Sequence, residues 1–90
     1  MNIKTICRDE NNFIIEITEI CLDGKQYENF RSRIKGRLSE IYGRRSMIFQ
    51  FVDTSDNTVV KMVIPNGYLD DYKSIEKAIK SAYSSMELKI

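Results

Sequence analysis

Histidine is absent from this chain of 90 residues, and with it the usual general base near neutral pH and every catalytic triad built on an imidazole. Cysteine occurs only as Cys7 and Cys21, too few for a structural zinc set. The four glycines, Gly24, Gly36, Gly43 and Gly67, are scattered, so no glycine-rich phosphate loop exists. No apolar run approaches the ~20 residues of a membrane-spanning helix. Arg8, Asp9 and Glu10 interrupt any hydrophobic segment of a secretory leader. The expectations are a cytoplasmic, non-enzymatic protein that needs no cofactor, no metal and no membrane. The two thiols are expected to be reduced and buried, acting as small hydrophobes.

What is present is the composition of an ordinary globular protein, 42% hydrophobic and 30% charged. Its length suits one domain, residues 1–90, near the small end of what a single core stabilises. Thirteen isoleucines against two alanines suit an AT-rich coding sequence, as in a low-GC bacterium, a phage or another mobile element. The net charge of +1 is unevenly spread. Residues 25–45 carry Lys25, Arg31, Arg33, Lys35, Arg37, Arg44 and Arg45 against Glu28 and Glu40, a local excess of +5 that leaves −4 for the remainder.

That basic stretch reads as an amphipathic helix over about Gly24 to Tyr42. Asp23 and Gln26 have capping-box spacing, and Leu22 and Tyr27 occupy the hydrophobic-staple positions. Tyr27, Phe30, Ile34, Leu38 and Ile41 form a buried stripe, and Gly43 stands where a left-handed cap ends the helix. Before it, residues 3–7 and 13–18 read as two strands about the polar turn Asp9 to Asn12, with Phe13, Ile15 and Ile17 on one face. That hairpin sets Cys7 opposite the region of Ile14, with Cys21 well past the end of the first strand, which argues against a disulfide. After the helix, Met47, Phe49 and Phe51 alternate, then Val60, Met62 and Ile64, as a hairpin about residues 54–57. Pro65 to Gly67 break the strand. Asp70 and Asp71 then suit the dipole of a second helix better than a metal site, and Tyr72, Ile75, Ile79, Ala82, Tyr83 and Met86 supply that helix's apolar face. Residues 86–90 alternate as a short last strand.

The predicted fold is therefore α+β, an antiparallel sheet of four or five strands with two helices on one face. Its order is a ferredoxin-like βαββαβ with an extra N-terminal strand, or ββαββα if the last residues form no strand.

Two helices cover only one side of such a sheet. Ile14, Ile48, Val52, Val59 and Val63 fall on the other, an apolar surface suited to a partner protein or a second copy forming a homodimer. On the helix, Ser32, Gly36 and Ser39 make a small-residue face that lets another backbone approach, with Gly36 costing ~1 kcal/mol relative to alanine. The expected function is a small protein-interaction module, an inhibitor or adaptor. The alternative is a nucleic-acid-binding domain in which Arg33, Arg37, Arg44 and Arg45 grip phosphates. Near-neutral net charge and the lack of an aromatic in the strand at 58–64 for base stacking count against the alternative.

Overall fold

The periodicities resolve into two hairpins and two helices. A computed structural model describes residues 1–86 as β1 (Asn2–Arg8), β2 (Asn12–Thr18), α1 (Gly24–Tyr42), β3 (Gln50–Val52), β4 (Val60–Pro65) and α2 (Tyr72–Ser84), with 3₁₀ turns at Gly43–Ile48 and Asn66–Asp71. The strands form one antiparallel sheet, ordered β1-β2-β4-β3. Both helices lie on one of its faces, an arrangement consistent with the ferredoxin-like βαββαβ pattern. In it, β4 inserts between β2 and β3, and β1 holds the edge beside β2, so the order over the described residues is ββαββα. The strand expected at 86–90 lies, beyond Met86, outside the described residues.

Alternation in the central strands builds the core. Phe13, Ile15 and Ile17 of β2 and Val60, Met62 and Ile64 of β4 all point inward and are almost wholly buried. Phe30, Ile34 and Leu38 of α1 meet them, and Ile75, Ala78, Ile79 and Ala82 of α2 complete the layer. The helices run antiparallel: Arg33 of α1 reaches Ser85 just past the end of α2, while the Tyr42 hydroxyl reaches Asp71 just before its start. Asp23 caps α1 by accepting from the Gln26 N–H at 2.8 Å, and Gln26 returns a bond to the Asp23 N–H at 3.0 Å. The Asp9 carboxylate accepts from the N–H groups of Asn11 and Asn12, closing the β1–β2 turn. Asn66 ties that turn to the end of β4 through the carbonyls of Asn11 and Asp9.

Several residues depart from the periodic expectation. At the end of α1 it is Tyr42 that is buried, while Ile41 is 49% exposed. Spacings of three and four from Leu38 both fit a helical stripe, and the aromatic environment decides between them. Tyr42, Phe49 and Tyr68 pack edge to face with centroids 5.0–5.3 Å apart. Gly43 does end the helix with φ of +61°, but its ψ of −136° lies outside the left-handed helical region. The chain then turns as a 3₁₀ helix rather than entering a strand. Ser46 and Phe49, three residues apart, face inward, whereas Met47 is 75% exposed. Ile48 also lies in this turn, 46% exposed, so it is not part of the outer sheet face on which the alternation placed it. Asp70 and Asp71 precede α2 within the second 3₁₀ turn, and the Asp71 carboxylate accepts from Tyr42 instead of capping the helix. Cys21 is exposed, contrary to its expected burial.

These assignments separate two neighbouring side chains. Phe49→Ala is expected to cost about 3–5 kcal/mol, as large core aromatics do. Met47→Ala should stay within ~0.5 kcal/mol. Urea unfolding of both variants checks this, and equal losses would show that residues 47–49 run as a strand with both side chains inward.

Candidate functional site

The second face of the sheet has no layer packed on it among the described residues. Its rows follow from the strand register. Cys7, Ile14, Val63 and Gln50 are aligned across the four strands, and Lys4, Glu16, Lys61 and Val52 form the adjacent row. Ile14, Val52 and Val63 are partly exposed. The second row is charged: Glu16 stands between Lys4 at 3.6 Å and Lys61 at 3.9 Å. The expected apolar surface is thus a narrower strip, bordered by an ion ladder with one lysine in excess. Val59 lies just before β4, where its carbonyl accepts from the Tyr27 hydroxyl at 3.0 Å.

The two sheet edges differ. At β3, the Lys35 ammonium donates to the Phe49 carbonyl at 2.9 Å, and the Arg31 guanidinium lies 4.9 Å from the centre of the Phe51 ring while pairing with Asp53. One basic flank of α1 therefore shields that short edge. The β1 edge is longer and carries a bulge between Thr5 and Cys7, where Ile6 is 40% exposed.

The other basic flank faces α2. Arg33 donates through Nε to Asn29 and through Nη1 to the hydroxyl and carbonyl of Ser85. Arg37 pairs with Glu40 at 3.6 Å. The expected arginine row is divided here, because α1 ends at Tyr42 and Arg44 and Arg45 stand exposed in the following 3₁₀ turn. Ser32, Gly36 and Ser39 are all exposed on α1, and a Cβ on Gly36 would meet no atom within 4 Å. No contact inside the fold requires that glycine.

Two adjoining cavities lie along the α1–α2 seam. One, about 290 Å³, is lined by Arg33, Gly36, Arg37, Glu40 and Ser85. The other, about 300 Å³, shares Arg37 and Glu40 and extends over Ile41, Lys77, Ala78 and Ser81 to Ser74. Sequence reading passed over the α2 side of this seam, although Ser74, Ala78, Ser81 and Ser85 recur at spacings of four, three and four. Among the described residues no three histidine, cysteine or carboxylate side chains gather as a metal-binding group, and no helix is long and apolar enough to cross a membrane. No family model, curated protein or solved structure matches the chain.

At the far end of the seam, burial and then the nearby Asp71 carboxylate hold the Tyr42 hydroxyl above its ordinary value of 10.0, with Arg45 opposing. A raised folded value means that the neutral phenol is favoured in the native state. Its contribution is intact below pH 10 and lost as pH rises through the folded value. Thermal unfolding followed from neutral pH to above pH 10 should show a smaller alkaline loss for Tyr42→Phe than for the parent. Parallel profiles would remove Tyr42 as the source.

Proposed function

We propose that this protein is a small non-enzymatic interaction module of the inhibitor or adaptor type, cytoplasmic, that binds a partner protein through the uncovered face of its sheet and self-associates there. The observation that carries this reading is the direct cross-strand pairing of Ile14 with Val63 on a face that has no second layer among the described residues, with Val52 on the adjacent row. A sheet with one covered face exposes polar side chains on the other when that face is meant for water. Here an apolar strip runs beside the Lys4–Glu16–Lys61 ladder, resembling the apolar centre and charged rim of protein interfaces. The β1 edge offers a second, backbone-mediated route, since the β3 edge is shielded by Lys35.

The nucleic-acid alternative keeps less support. The expected row is divided, with Arg33 and Arg37 on α1 and Arg44 and Arg45 in the 3₁₀ turn that follows it.

Val63→Lys and Val52→Lys place charge on the strip without disturbing the inward face. Light scattering after size exclusion should show the parent self-associating and the double variant monomeric, with retained circular dichroism. Capture of a partner from host extract should fall at least about tenfold, the effect of ~1.4 kcal/mol. If assembly and capture are unchanged, the sheet face is not the binding surface. Salt-sensitive retention on heparin that survives these changes and disappears in an Arg44→Ala, Arg45→Ala variant favours nucleic acid instead.

A further inference from the structure

Gly36 is the least explained residue of α1, and its position in the seam gives it a reason. It sits mid-helix, where glycine is disfavoured by ~1 kcal/mol relative to alanine, and a Cβ there would enter open space. Arg33 and Arg37 flank it at one end of a continuous groove. The groove carries three cations, Arg33, Arg37 and Lys77, against one carboxylate, Glu40. The excess of two positive charges matches a phosphate monoester, which carries about −1.5 to −2 near pH 7.

We propose that the α1–α2 seam is a binding groove for a small organic phosphate, with the phosphoryl group over Gly36 between Arg33 and Arg37 and the organic body toward Ala78 and Ile41.

Two arginines supply the donors for a phosphoryl group at the Gly36 end. Ser85 already donates to the Ala82 carbonyl and accepts from Arg33, so it holds the guanidinium in place and contributes no further donor. Arg33 retains Nη2, which makes no protein contact among the described residues, and Arg37 retains Nε and Nη2 beyond its pair with Glu40. These donors face the Gly36 end of the groove, while the Lys77 ammonium and the Ser81 hydroxyl line the adjoining half, on the side of the organic body. The absent Cβ of Gly36 lets those oxygens sit low between the two arginine stems. Beyond Arg37 the floor becomes apolar at Ala78 and Ile41, and among the described residues no element covers Ile41, which is 49% exposed. Glu40, at the waist, is an acceptor for hydroxyl or amino groups of the ligand body.

Isothermal titration of the full chain with AMP and with glucose 6-phosphate, each against its dephosphorylated counterpart, tests the assignment. Binding of at least one phosphate ester and not of its counterpart is expected, weakened about tenfold or more by Arg37→Ala. Gly36→Leu should abolish binding while keeping or raising the unfolding temperature, an outcome that a purely structural role for the glycine does not produce. Absence of heat with both esters, or binding undiminished in Gly36→Leu, overturns the proposal. So does binding confined to a longer oligonucleotide, which reassigns the arginines to a nucleic-acid backbone. None of these readouts depends on Val52 or Val63, so the sheet-face reading stands or falls separately.

Discussion

A sheet of four strands must bury one face to exist in water, and among the described residues α1 and α2 are the elements that bury it. The contact between the inward side chains of β2 and β4 and the stripe of α1 is therefore the interaction on which the structure depends. Phe13, Ile15, Ile17, Val60, Met62 and Ile64 come from the two central strands, and Phe30, Ile34 and Leu38 answer them from the helix. Each element is marginal alone: a two-stranded hairpin is barely stable, and a helix of this length needs a packed face. Their mutual burial stabilises each of them, and among the described residues both helices lie on that one face, with none on the opposite face of the sheet.

The same shortage of covering elements explains how the basic residues are used. Around α1 the arginines and lysines border the core stripe on both sides, their stems on its margins and their heads outside. On the β3 side, Lys35 and Arg31 close a short strand edge. On the α2 side, Arg33 braces the end of the second helix, and Arg37 and Lys77 give the seam its positive character. A charge excess that reads in one dimension as a single basic helix is, in space, two surfaces with different work. Exposed ion pairs such as Arg37 with Glu40 add little to stability, so their interest lies in the field they create at the seam.

The elements were legible wherever local chemistry and burial agreed. The alternation in β2 and β4 and the capping box at Asp23 specify their elements with no knowledge of partners, because the period of two or 3.6 residues is imposed by backbone geometry. The first hairpin was accessible only near its turn: Cys7 pairs with Ile14, in the region expected, but the bulge between Thr5 and Cys7 shifts the register beyond it. The segment after α1 was not, since Met47, Phe49 and Phe51 satisfy a strand pattern while Gly43–Ile48 forms a 3₁₀ turn. Steering the chain from the end of a helix to an edge strand is a requirement of three-dimensional connection, and the Tyr42–Phe49–Tyr68 contact settles which side chains turn inward.

The candidate surfaces divide along the same line. From sequence alone come the one-sided α+β sandwich, the inward faces of its elements, the unusual mid-helix Gly36, and the lack of histidine chemistry. These are properties of single residues or of periodic neighbours, which the chain carries regardless of its path. Tertiary structure alone decided that β1 takes the edge beside β2, that an ion ladder crosses the outer face, that Ile48 leaves that face, and that α2 brings Lys77 and Ser81 beside Arg37 and Ser85 against Arg33. Each of those facts joins residues far apart in the chain, and only the packing of helices on a sheet sets which of them meet.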